Sequence, residues 1–563
     1  MIRRFFSILV MIGVFIIMAP MALISLAASL FIGTVAGFMG FTILRGLVFH
    51  VPMMRDPSTI FGWVFFAFCF LIAWAVMIWI WAGSYGFELL TWGNRTSHGS
   101  ARFATKSERA VFQKEAGLLI GRDRETGRLL RYDGPAHLLT LAPTRAGKGV
   151  GTVVPNLLML DRSVLVIDPK GENAKIAGEA RRRFGAVHVL DPFGVTGIPS
   201  AAYNPLALLN PDSLDLGEDA ASLAEALVMD PPGQVSEAHW NEEAKALIGG
   251  LIMFVVAHED LDRRALPTLR EYLTLPPEKF RALLELMQDS AGAGGLIARA
   301  ANRFLGKSDR EAASVMSSAQ RHTHFLDSPR IAASMTRSDF RFATLRHEVT
   351  SVFLVLPPNR LDAYARWLRL LVAQALQDIA RDAEHRTTQG NGSATSEEAS
   401  VRPTEALSAP TLFLLDEFAA LGRLEAVERA MGLMAGYGLQ LWPILQDMSQ
   451  LKDLYGARAN TFVANAGVLQ CFGVNDFETA KWLSQSMGKE TTSYQTESYR
   501  SGEGGHSTSV NVVARDLMTP DEIMQLPQHV QLLRIQGQPM MTARKLRYFA
   551  DKEFDGLYLS PDA

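Results

Sequence analysis

One run of small residues around a single lysine carries the clearest chemistry in the chain. Ala142-Pro143-Thr144-Arg145-Ala146-Gly147-Lys148-Gly149-Val150-Gly151 follows an apolar stretch ending at Leu141 and leads into a helix-like one. Strand, small-residue loop and helix, in that order, are what a phosphate-binding loop requires. Successive backbone N–H groups from Thr144 to Val150 can then face an anion at a helix N-terminus, while Lys148 reaches the outer phosphates. The run departs twice from the G-x-x-x-x-G-K-[ST] pattern. Ala142 replaces the first glycine, and Gly149 replaces the hydroxyl residue that normally binds Mg²⁺. The competing reading is a glycine-rich strand-to-helix turn with no ligand.

A second element strengthens the first. Thr411-Leu412-Phe413-Leu414-Leu415-Asp416-Glu417 is an apolar strand ending in two acids. In a phosphoryl-transfer site Asp416 holds Mg²⁺, directly or through water, and Glu417 polarises the attacking water. Strands ending in two acids are common, so the order of lysine loop and acid pair is what points to ATP or GTP. Gln446, at the end of the strand Leu439–Leu445, either senses the γ-phosphate or simply leaves a strand for a turn. The missing hydroxyl at Gly149 leaves Asp416 and water as the expected holders of the metal.

These residues need a scaffold. Leu138–Ala142, Ser163–Ile167, Ala186–Leu190, Val349–Leu356, Thr411–Leu415, Leu439–Leu445 and Gly467–Phe472 are short apolar runs separated by helix-like ones. Such runs form a parallel sheet buried on both faces, an α/β fold. Between residues 206 and 345 the strands vanish, and Ala244–Val256, Arg264–Leu275, Pro277–Gln288 and Arg310–His324 read as helices. An all-helical insertion over 206–345 is expected, splitting the nucleotide-binding domain into 94–205 and 346–563. Residues 387–409, rich in Ser, Thr, Gly, Glu and Ala, read as a mobile surface loop.

The N-terminal end is of another kind. No charged side chain occurs from Phe5 to Leu44 or from Pro57 to Phe87, and each run exceeds the ~20 residues a membrane-crossing helix needs. Pro20 could break the first run into a short piece and a span near Met21–Leu44. A cleaved signal peptide is the rival for its start. Arginines and lysines flank the outer ends, so residues 1–93 read as a two-helix anchor with both termini in the cytoplasm.

Composition bounds the rest. The 563 residues are 48% hydrophobic and 20% charged, which excludes a disordered or fibrous chain. The net charge of −3 excludes a global basic field, so nucleic-acid contact would need a local patch. Arg181-Arg182-Arg183, and Arg341-Phe342 with Arg346, are such clusters, although a charge run is more often a solvated helix face. Cys69 and Cys471 read as reduced core thiols rather than a disulfide framework.

Taken together, the motifs resemble those of type IV secretion coupling proteins, the TraG-type conjugation ATPases of the FtsK–HerA class of P-loop motors. The resemblance covers nearly the whole chain. It runs through the paired apolar segments, His98-Gly99-Ser100-Ala101-Arg102, Ala142–Gly151, Asp168-Pro169-Lys170-Gly171-Glu172 and Tyr203-Asn204-Pro205. Thr336-Arg337-Ser338-Asp339-Phe340, Leu414-Leu415-Asp416-Glu417-Phe418, and Gln446 with Ser449-Gln450-Leu451 continue it. That family typically has glycine where Gly149 stands. The resemblance implies a RecA-like domain using ATP and Mg²⁺, with Lys148 on phosphates, Asp416 and Glu417 serving metal and hydrolysis, and Gln446 sensing nucleotide. Asp168, Lys170 and Glu172 either line the same site or form a structural ion pair.

It further implies a homo-hexamer in the bacterial inner membrane, in contact with its lipids, with the ATPase domain in the cytoplasm. Its expected partners are secretion-channel components, a relaxase–DNA complex or effector proteins, and DNA itself. One carry-over fails. Some relatives place an arginine for the neighbouring subunit near the stretch corresponding to Ala435-Gly436-Tyr437-Gly438, which has none here. Arg337, Arg423, Arg429 and Arg515 are unranked substitutes. Two other readings compete: a docking receptor that binds nucleotide without hydrolysis, against which Glu417 speaks, and a chromosome-type DNA translocase. A zinc protease is excluded by the lack of H-E-x-x-H.

Overall fold

The computed structural model describes residues 27–28, 30–43, 47, 60–81, 98–228, 238–390, 406–499 and 506–559. The chain divides into two compact units, Met1–Ser100 with Glu490–Ala514, and Ala101–Lys489 with Arg515–Ala563.

The second unit is built on an eleven-stranded sheet. Its strands are β1 (Leu118–Asp123), β2 (Leu129–Tyr132), β3 (His137–Leu141), β4 (Val164–Ile167), β5 (Ala186–Leu190), β6 (Thr350–Leu354), β7 (Thr411–Leu415), β8 (Leu439–Leu445) and β9 (Ala466–Cys471), with two more near the end of the chain. The order from β9 through β3, β8, β7, β4 and β6 to β5 is parallel throughout. The two late strands, Val530–Ile535 and Met541–Arg544, join β1 and β2 in an antiparallel extension beyond β9. β10 (Lys489–Tyr499) and β11 (His506–Asp516) form a separate two-stranded ribbon, so the late strands are β12 and β13.

The apolar runs are continuous because both faces of the sheet are covered. In β4, Val164 and Val166 enter one core layer while Leu165 and Ile167 enter the other. β7 divides likewise, Leu412 and Leu414 against Phe413 and Leu415. The first layer is closed by the helices Val154–Met159 and Glu172–Arg181. The second is closed by Leu361–Gly390 and by a run of helices between β5 and β6 that includes Leu216–Leu227, Ala238–His258 and Asp309–Thr323.

Three expectations need adjusting. The helix from Leu361 continues to Gly390, through the first residues expected to be loop. Leu407 at the other end is tied down, its N–H donating to Arg346 O at 2.7 Å; residues 391–405 lie outside the described residues. Arg181 is not on a solvated face. It is fully buried, and its guanidinium donates to the carbonyls of Leu157, Leu160 and Arg162 and to Ser351 Oγ. Arg183 likewise donates to Leu158 O, and Arg346 pairs with Asp382 at 2.5 Å, while Arg182, Arg183 and Arg341 are the exposed members of the two clusters.

The first unit contains a helix over residues 30–43, the helix Ile60–Trp81 and most of the β10–β11 ribbon. The two helices pack closely. A Cβ on Gly37 would lie 3.1 Å from Phe70 Cγ, and Trp74 Nε1 donates to Thr34 Oγ1 at 3.1 Å. Residues 5–26 of the first apolar run, the two ends of the second, and the alternative signal-peptide segment lie outside the described residues. Among the described residues no helix is long and apolar enough to cross a membrane.

Candidate active site

β3, β8, β7 and β4 are consecutive neighbours running in one direction, so their carboxyl ends share an edge of the sheet. Ligands of open parallel sheets bind at that edge. The lysine loop leaves β3, Gln446 leaves β8, Asp416 and Glu417 leave β7, and Asp168 leaves β4. Strands about 4.8 Å apart therefore bring together residues far apart in sequence.

The loop has the backbone its residues allow. Gly147 sits at φ 90°, open to glycine, while Arg145 adopts φ 65° despite its side chain. The left-handed region costs a non-glycine residue roughly 1 kcal/mol, a strain found where a loop must wrap a ligand. Lys148 is the first helical residue, followed by a π-helical turn over Gly149–Val153 and the helix Val154–Met159. Two glycines differ in kind. A Cβ on Gly151 would lie 3.0 Å from Leu546 O, whereas nothing lies within 4 Å of one on Gly149. Sterics alone therefore do not exclude a hydroxyl residue at Gly149.

Lys148 is buried, and its Nζ donates to Glu417 Oε1 at 2.9 Å, with Asp416 Oδ1 at 3.8 Å. Gln446 Nε2 donates to the other carboxylate oxygen, Glu417 Oε2, at 3.3 Å. The N–H of Gln446 donates to Gln450 Oε1 at 2.9 Å, in the turn that follows β8. Glu417 itself is left-handed at φ 50°, and its N–H donates to Asp416 Oδ1 at 3.0 Å.

Burial raises the Asp416 carboxyl above the usual range, against the pull of Lys148, and Glu417 adds to the rise. Asp168 is pushed up to about 7, chiefly by burial, although the N–H groups of Ala174 and Asn173 favour its charged form. Its Oδ2 accepts from Ala174 N at 2.8 Å, capping the helix Glu172–Arg181. Among the described residues no salt bridge joins Asp168 to Lys170. Lys170 instead acts through space on Asp416.

The four substitute arginines have these surroundings. Arg337 pairs with Asp339 at 3.1 Å, Arg423 faces Glu425 at 3.6 Å, and Arg515 pairs with Glu522 at 2.5 Å. Arg429 is exposed on the helix Glu425–Leu433. A residue that no motif announced does touch the loop: Lys545 Nζ donates to Ala146 O at 2.7 Å.

A mainly parallel sheet with a lysine loop and an acid pair on its carboxyl edge defines a RecA-like α/β protein. The same fold occurs in the plasmid coupling protein TrwB in complex with the non-hydrolysable ATP analogue ADPNP. That match has a TM-score of 0.56 at 18% identity, over 79% of this chain and 93% of that one. TrwB in complex with ADP and Mg²⁺ matches at a TM-score of 0.55 and 18% identity, over 82% and 96%. Residues 101–561 match the model of the type IV secretory system conjugative DNA transfer family, and the chain belongs to that family. It is 30% identical to the conjugal transfer protein TraG of Escherichia coli over 521 residues, 82% of this chain and 78% of that protein. It is 28% identical to protein VirD4 of Rhizobium rhizogenes over 497 residues, 83% and 67% of the two chains. The chain is thus a type IV secretion coupling protein.

Proposed function

We propose that the chain is a membrane-anchored ATPase that delivers relaxase-bound DNA, effector proteins or both to a type IV secretion channel and drives their transfer by hydrolysis. The observation that carries this reading is the contact of Lys148 and Gln446 with the two oxygens of Glu417, beside partly buried Asp416. Lys148 is paired with Glu417 at 2.9 Å. A triphosphate in the loop would compete for that lysine, and Glu417 would then be released to accept a proton from the attacking water, oriented by Gln446.

Mg²⁺ needs few protein oxygens when phosphates and water complete its shell. Two neighbouring carboxyls raised by desolvation, partly buried Asp416 and buried Asp168, suit a cation, with Asp416 as the holder. When bound, Mg²⁺ would neutralise charge on the phosphates.

Exposed apolar side chains on the two N-terminal helices, among them Phe31, Phe38, Val64, Phe68 and Leu71, support insertion in an inner membrane against its lipids. Both termini and the second unit would lie in the cytoplasm. A ring of six would place nucleotide between subunits and let its turnover move cargo.

Plasmid transfer from a donor lacking this chain, complemented with variants, tests the reading. Lys148→Ala and Glu417→Gln should each lower transfer by at least ~10³-fold, as loss of a catalytic group does. Normal transfer with Glu417→Gln would leave nucleotide with a holding role only.

A further inference from the structure

Lys545 follows directly on β13. The pairing of β13 with β12, of β12 with β9 and of β9 with β3 carries this late residue to the back of the phosphate loop. Its own N–H donates to His529 O at 2.9 Å, which fixes the backbone there. The ammonium donates to Ala146 O at 2.7 Å and lies 4.8 Å from the centre of the Phe472 ring. It is 4.0 Å from where a Cβ on Gly147 would stand. Among the described residues no acid pairs with it, and burial with Arg547 nearby holds it below the usual lysine range.

A half-buried cation is costly unless something answers its charge. One carbonyl dipole and one ring face answer it in part. The geometry shows what else the contact does. Ala146 C=O and Gly147 N–H belong to one planar peptide and point in opposite directions. Holding that carbonyl outward aims the Gly147 N–H inward, where successive N–H groups would meet phosphate.

We infer that Lys545 is a positioning residue of the nucleotide site, turning the Gly147 N–H into the phosphate cradle and adding positive charge behind it for nucleoside di- and triphosphates. This rests on the nucleotide-site reading above.

The test uses the full chain in detergent with Mg²⁺, ATP and ADP, measuring dissociation constants, KM and kcat for Lys545→Gln, Lys545→Met, Lys545→Arg and Lys148→Ala. Lys545→Gln and Lys545→Met should weaken ATP and ADP binding and raise KM by about tenfold, with kcat within about twofold, as lost ground-state attraction requires. Lys545→Arg should stay within about threefold of the parent, because charge and donor are both kept. Parent-like ATP affinity in Lys545→Gln overturns the assignment. So does a well-folded Lys545→Arg that binds as weakly as Lys545→Met. If the neutral variants do not fold, Lys545→Arg decides by the same KM criterion. A parent that binds no ATP, or a Lys148→Ala variant that binds as tightly as the parent, sinks the nucleotide-site reading and Lys545 with it. Binding that needs Lys148 but ignores Lys545 overturns Lys545 alone.

Discussion

At the scale of single residues, the central contact is that of Lys148 with Glu417 at 2.9 Å. Lys148 cannot serve both Glu417 and a phosphate, so Glu417→Gln should tighten ATP binding by about three- to tenfold while abolishing turnover, since it removes a competing charge. Equilibrium titration with a fluorescent ATP analogue measures this; unchanged or weaker binding would show that the 2.9 Å bridge is energetically idle. Asp168 supplies a pH prediction. Its carboxyl titrates near 7 when folded, against about 3.9 in an unfolded chain. Between those values the unfolded chain holds fewer protons, so stability falls as pH rises, and the penalty is fully present above 7. Asp168→Asn should therefore raise the melting temperature at pH 8, by on the order of 2–4 °C, with the gain shrinking towards pH 5. A gain that grows on acidification would contradict the assignment.

At the scale of elements, the parallel half of the sheet was legible because its strands, apart from the edge strand β5, are buried on both faces. Ala186–Leu190, Thr411–Leu415 and Leu439–Leu445 fall where their apolar runs end. The antiparallel extension was not legible. β1 is interrupted by a register shift between Leu119 and Gly121, and β2 and β13 are four residues long, too short for a clear period. Lys545 was missed for the same reason, as its place depends on strand pairing rather than spacing. The loop, the acid pair and Gln446 could be found because each sits at a strand end, where apolar residues give way to polar ones. Arg181 was misread because adjacent arginines on a helix usually face water, while this one holds three carbonyls at the end of the helix Val154–Met159 and in the turn after it. Arg181→Met should cost on the order of 3 kcal/mol in chemical denaturation, as buried acceptors lose their donor. A loss below about 1 kcal/mol would mean that water replaces it.

At the scale of the whole molecule, the proposed function joins a membrane anchor to an engine that needs its partners. In the proposed function, DNA and neighbouring subunits complete the carboxyl-edge site, including the cation that meets charge developing on the γ-phosphate. The most direct measurement is steady-state phosphate release by the full chain in lipid nanodiscs, with and without single-stranded DNA, beside Lys148→Ala and Glu417→Gln. The account predicts turnover that rises at least about fivefold with DNA and falls by about 10²-fold or more in both variants. Tight ATP binding with no turnover under any of these conditions, or turnover that survives Glu417→Gln, would contradict it.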